Sequence, residues 1–145
     1  MRILSCAAAF LLLPAPLLAQ GKQVLPVPGA VAGLPFSPAV KVGYLILLSG
    51  QIGNLPGTRE VVAGGIKAET RQALENIKSL LAAAGSSLDQ VAKCTVFLAD
   101  ISDYGAMNEV YAGYFSHDPP ARSTVAGSGL ALGARVEIEC IAAQP

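Results

Sequence analysis

The stretch that most constrains the fold is Val136-Glu137-Ile138-Glu139-Cys140-Ile141-Ala142, near the end of the chain. Successive strand side chains point to opposite faces. Val136, Ile138 and Cys140 therefore share one face and read as core, while Glu137, Glu139 and Ile141 share the other. Two carboxylates set into an apolar strand run against strand propensity and are costly to desolvate unless something pairs with them. The run Ala121-Arg122-Ser123-Thr124-Val125 also has strand composition and is separated from the first by the Gly-rich loop 127–133. Arg122 on a neighbouring strand is a candidate partner for Glu137. Arginine offers a planar fork that matches a carboxylate, and a nearby glutamate can hold and deprotonate a water. The pair reads either as a structural ion pair or as a site for a small, planar, carboxylate-bearing electrophile. A third option, Glu137 and Glu139 as paired glycosidase carboxylates, has no other sign of a sugar groove beside it.

Upstream, a short strand is expected near Lys22 to Leu25. A buried strand is expected over Tyr44 to Ser49, with Val40 to Val42 pairing ahead of it. Residues 53–65 are a turn-rich connection. The spacing of Ile66, Leu74, Ile77, Leu81 and Ala84 predicts a helix over 66–84, with Glu69, Arg71 and Glu75 largely outside and Gly85 as its stop. Val91 to Ala99 reads as a strand with Cys94, Val96 and Leu98 on one face. A second helix starts near Ser102 or Asp103, both good caps, and turns Met107, Val110, Tyr111 and Tyr114 inward. Tyr111 and Tyr114 read as packing residues rather than a stacking platform for bases. This order of elements predicts an α+β domain with both helices on one face of a mixed sheet.

The chain has 145 residues, enough for one domain. Residues 1–19 read as a secretory signal: Arg2, an apolar run, then Leu17-Leu18-Ala19 as a cleavage site, with an uncleaved anchor as the rival reading. Pro14 and Pro16 argue against a membrane span. Residues 20–145 are then the folded domain, expected in the periplasm or outside the cell, with no membrane contact after cleavage. Net charge is zero with no basic run, so nucleic acid has no electrostatic footprint to meet. Charged residues make up 14% of the chain, against roughly 25% in ordinary domains, which suggests surface hidden in an oligomer. Cys6 would leave with the signal. Cys94 and Cys140 read as two buried thiols in adjacent strands, although an oxidising compartment permits a disulfide. No metal-ligand spacing occurs. The single histidine, His117, reads as a solvated loop residue. No nucleophile elbow, phosphate loop or dinucleotide fingerprint is present, and the glycines of 127–133 read as serving a strand connection.

Four stretches carry a resemblance: SGQIG at 49–53, TRQALENIKSLLAAAGSSLDQVAKCTVFLAD at 70–100, MNEVYAGYF at 107–115, and PPARSTV with VEIECIA. In order and separation they resemble the RidA/YjgF family over nearly the whole mature chain. The resemblance implies a chorismate-mutase-like fold, a mixed sheet of about six strands with two helices on one face. It also implies a homotrimer with sites in the clefts between subunits. The implied chemistry is cofactor-free hydrolysis of 2-aminoacrylate and related 2-imino acids to 2-oxo acids and ammonia.

By the same resemblance Arg122 binds the substrate carboxylate and Glu137 positions or activates water, while Glu139 is a non-catalytic neighbour. Ser49 and Asn108 lie near the cleft. Phe36 stands where deaminase members commonly have tyrosine, and Thr124 where many have cysteine. The first removes a hydroxyl; the second keeps a backbone N–H but drops a thiol. Ala131 replaces a proline usual in the loop before the last strand. Relatives have also been labelled ribonucleases, a reading that zero net charge and one histidine do not support here. The alternative is a non-catalytic trimeric module for a small carboxylate or a protein partner. The Arg122–Glu137 pair favours the enzyme; Phe36, Thr124 and export favour the module.

Overall fold

The computed structural model describes residues 21–27, 31 and 33–145; the expected signal at 1–19 lies outside them. The chain runs β1 (Gln23–Val24), β2 (Ala39–Val42), β3 (Leu45–Leu48), β4 (Gln51–Ile52), α1 (Gly65–Ala83), β5 (Val91–Leu98), α2 (Tyr104–Tyr114), β6 (Ala121–Ala126) and β7 (Val136–Ala143). The seven strands form one sheet in the order β1-β2-β3-β7-β5-β6, with β4 also paired to β7. All pairings are antiparallel except β5 with β6, whose parallel register is bridged by α2. The expected mixed sheet with two helices on one face is what forms.

The alternation in β7 sets the layers. Val136, Ile138, Cys140 and Ala142 are buried, as are Cys94, Val96 and Leu98 of β5. They meet Ala73, Leu74, Ile77 and Leu81 of α1 and Met107 and Tyr111 of α2. The helical period of α1 thus supplies one apolar stripe to one sheet face. Gly85 ends α1 as expected: it sits at φ +74°, and Ser86 N–H reaches back to the Leu81 carbonyl at 2.8 Å. On the opposite sheet face Leu45, Leu47, Val125 and Ile141 stand exposed.

Four expectations are corrected. Gln51–Ile52, outside every expected strand, forms β4, a two-residue strand recognisable only by its pairing with β7 (Gln51 with Ile138, Ile52 with Glu137). α2 starts beside Asp103 as expected, but Asp103 makes no side-chain capping bond; the capping side chain is that of Asp100, which accepts from Ser102 N at 2.8 Å and opens a short 3₁₀ turn, Ile101–Asp103. Glu69, expected on the outer side of α1, is buried, and its Oε2 accepts from the Arg135 backbone N–H at 2.7 Å. Cys94 and Cys140 are not free thiols but a disulfide: they are register partners on β5 and β7 with Cα atoms 4.1 Å apart.

The entry to β7 is held from both helices. Besides the Glu69 bond, Arg135 makes a bidentate pair with the buried Asp103, Nε to Oδ2 at 2.9 Å and Nη2 to Oδ1 at 2.8 Å. Glu137 follows two residues later, so this clamp sets where it starts.

Candidate active site

Arg122 belongs to the edge strand β6, in parallel register with Cys94. Parallel partners share a face, so Arg122 and Thr124 lie on the helix side of the sheet. There α2 presents Tyr104, Asn108 and Tyr111, spaced i, i+4 and i+7 on one helical face. The Arg122 guanidinium carbon lies 4.6 Å from the Tyr111 ring centroid and 5.7 Å from that of Tyr104. Its Nη2 donates to the Tyr104 hydroxyl at 3.3 Å. A guanidinium stacked on a ring in this way keeps its plane and its edge donors oriented.

The electrostatics follow from that packing. The Asn108 hydrogen bond, and then the Arg122 charge, hold the Tyr104 phenol below its ordinary value. Burial pushes Tyr111 up to about 12 against the opposing Arg122 charge. The Tyr111 hydroxyl and Thr124 Oγ1 are buried with no hydrogen-bond partner among the described residues. Pro119, Pro120 and Phe115 complete the groove around Asn108, Tyr111 and Arg122.

Glu137 lies on the opposite face of the sheet. It lines a cavity of about 540 Å³ together with Phe36, Gly50, Gln51, Ile52 and Leu132. Partial burial, and then the neighbouring Glu139, raise the Glu137 carboxyl above its ordinary value. Ser49 does not turn its hydroxyl to the cavity: Oγ donates to the Ser37 carbonyl at 2.7 Å, tying β3 to the loop that carries Phe36.

The expected partnership of Arg122 and Glu137 on neighbouring strands is therefore corrected. β5 separates β6 from β7, and the two side chains stand on opposite faces. Among the described residues Arg122 forms no ion pair. The reason is topological: α2 carries the chain across to the outer edge of β5, so the loop after β6 spans two strand positions to reach β7. Arg122, Thr124 and Asn108 assemble in one half-site. Glu137 and Phe36 assemble in the other, with Ser49 behind them. The sequence reading missed Tyr104 and Gly50 as site residues and treated Tyr111 as packing alone. The spacing of Tyr104, Asn108 and Tyr111 on one helical face was the available signal for the two tyrosines.

Comparison with known proteins shows the family. The family model described as Endoribonuclease L-PSP matches residues 28–144. The chain is similar to a RutC family protein of Pyrococcus horikoshii, 51% identical over 74% of this chain and 86% of the relative. It is similar to a human 2-iminobutanoate/2-iminopropanoate deaminase, 44% identical over 81% of this chain and 84% of the relative. Among solved structures it resembles TdcF of E. coli with bound serine, with 33% identity and a TM-score of 0.78 over 85% of this chain and 99% of that one.

Proposed function

The chain belongs to the RidA, or endoribonuclease L-PSP, family, and on that premise we propose that it hydrolyses 2-imino acids to 2-oxo acids and ammonia in clefts completed by a second copy of itself. The carrying observation is that Arg122 and Glu137 stand on opposite faces of one sheet, so one chain alone cannot turn both on a small substrate. The exposed apolar residues Leu45, Leu47, Val125 and Ile141 on the Glu137 face form a surface that a second copy would cover. A ring of three copies, each giving its Arg122 half to one neighbour and its Glu137 half to the other, closes without unused halves.

In such a cleft the Arg122 fork holds the substrate carboxylate and Asn108 and Thr124 flank it. Glu137, with its carboxyl raised toward the working pH, orients a water and takes its proton as the oxygen bonds to C2 of the imine. Glu137 passes that proton to the imine nitrogen; in the resulting carbinolamine the hydroxyl proton moves by the same carboxylate to the amino nitrogen as the C–N bond breaks, so ammonia leaves and a C2 carbonyl remains. An enamine such as 2-aminoacrylate enters after tautomerising to its imine. In this scheme the Glu137 carboxylate relays the protons of the water and the Arg122 guanidinium supplies charge and hydrogen bonds only. Export through residues 1–19 would place the reaction in the periplasm or outside the cell.

Ammonia release by the mature protein, with 2-imino acids generated in situ by an amino-acid oxidase, tests the reading. Acceleration over the uncatalysed hydrolysis is expected, and no acceleration with any imino acid overturns it. A second reading, a trimeric binder of small carboxylates, is favoured by Phe36: the residue is 54% exposed, lines the Glu137 cavity and brings no hydroxyl there. Binding of pyruvate at Arg122 without turnover would select it.

A further inference from the structure

Gly50 lies against Glu137 more closely than any other residue could. A Cβ built on Gly50 would fall 1.9 Å from Glu137 Oε1, 2.7 Å from Cδ and 2.8 Å from Cγ. Non-bonded heavy atoms settle near 3.5–4.0 Å between carbons, so three atoms of the carboxyl end occupy space that any other amino acid would fill. The Glu137 side chain is laid flat across the backbone where β3 gives way to β4.

That backbone has little freedom to yield. Gln51 Nε2 donates to the carbonyls of Ser49 and Gly50 at 2.9 and 3.1 Å, bracing the bend from within. Ser49 N–H bonds the Pro38 carbonyl at 3.0 Å, and Ser49 Oγ bonds that of Ser37 at 2.7 Å. On the far side β4 is paired to β7, Ile52 opposite Glu137 itself. Added bulk at position 50 would therefore displace the glutamate rather than the strand.

We infer that Gly50 is a positioning residue for Glu137: the missing side chain at 50 holds the carboxylate in its half-buried pose, and Ser49 and Gln51 brace that seat rather than touch substrate. The inference rests on the reading of Glu137 as the group that handles water, but its geometry can be tested apart from turnover.

The test is a double-mutant cycle between positions 50 and 137 on the assembled protein. Gly50→Ala is expected to lower kcat by on the order of 100-fold, because an ångström of misplacement is enough for that, while pyruvate affinity stays within about 3-fold since Arg122 is untouched. Glu137→Ala removes all three clashing atoms, so on the residual activity of that background Gly50→Ala should cost no more than about 3-fold further. Carbon-13 titration of the Glu137 carboxyl reads the pose without turnover. Gly50→Ala should bring its pKa down towards the ordinary glutamate value as the group moves into water. Equal losses in both backgrounds, or an unchanged Glu137 titration, would overturn the inference. Should Gly50→Ala fail to fold, recovery of the fold in Gly50→Ala/Glu137→Ala supports the contact and continued unfolding refutes it. A wild type without turnover but with the expected titration change would count against the deaminase reading alone.

Discussion

The two half-sites are built in opposite ways. Around Arg122 the chain supplies nearly everything: a ring beneath the guanidinium, a second ring beside it, and a phenol hydrogen-bonded to one edge nitrogen. Around Glu137 it supplies a seat and an open cavity, with exposed apolar residues on the same sheet face. On the proposed function, the difference would separate specificity from chemistry. The Arg122 fork, organised within one subunit, would bind substrate in a way that depends on its cradle. Glu137 is placed by burial and backbone shape, and on the same proposal its cleft would be finished by assembly.

The element that joins the two halves should give the largest effect. The Cys94–Cys140 disulfide bolts β5 to β7, with Cys94 in register with Arg122 and Cys140 three residues beyond Glu137. It closes 46 residues of chain, so Cys94→Ala/Cys140→Ala should destabilise by about 4 kcal/mol in the chain-entropy limit. Denaturant unfolding under oxidising conditions measures this, and a loss below about 1 kcal/mol would mean the sheet holds the halves without the bond.

Next come the two side chains themselves. Glu137→Gln should lower kcat by on the order of 100-fold with little change in pyruvate affinity. Arg122→Lys keeps the charge but loses the fork, and should cost about 2 kcal/mol or more in kcat/KM together with a matching loss of pyruvate binding. Steady-state kinetics and calorimetry separate the two patterns. If both variants weakened binding equally, the proposed division of labour would be wrong.

A smaller effect lies in pH. The Glu137 carboxyl is raised by burial first and by Glu139 second. As a base it must be ionised, so a raised pKa moves the acidic limb of the kcat profile to higher pH than for an ordinary glutamate, and activity is lost as pH falls through that raised value. Glu139→Gln removes the like charge. It should shift the limb to lower pH while leaving the plateau nearly intact. A shift in the opposite direction would show that Glu139 does not act on Glu137 by charge.

The smallest expected change is Tyr104→Phe, which keeps the ring but removes the hydroxyl that accepts from Arg122 at 3.3 Å. A bond at the long end of the range is worth little, so pyruvate affinity should fall only about 2- to 5-fold, with kcat unchanged. Tyr111→Leu, which removes the ring under the guanidinium, should cost more.

Much of this was legible before any coordinates. The alternation in β7 settled which side of the last strand is core, and the period of α1 settled its buried stripe, because both signals repeat several times within one element. What failed depended on partners distant in sequence. β4 has only two residues and exists through its pairing with β7. Glu69 looked solvated because its burial is compensated by one backbone N–H at Arg135, far along the chain. Arg122 was assigned to the right strand but the wrong neighbour, since strand order and face depend on the crossover through α2 rather than on local pattern. Gly50 was visible as part of a motif, but nothing in a sequence says that a glutamate will lie across it.

The central claim is that Arg122 of one copy works with Glu137 of another. It is tested by mixing two inactive variants, Arg122→Lys and Glu137→Gln, after co-refolding or co-expression so that subunits exchange. In mixed assemblies some clefts pair an intact Arg122 from one variant with an intact Glu137 from the other, about a quarter of them for random mixing of equal amounts. Imine deaminase activity should therefore return to about a quarter of the wild-type rate, above either variant alone. A mixed sample no more active than the sum of its separate components would contradict the shared cleft.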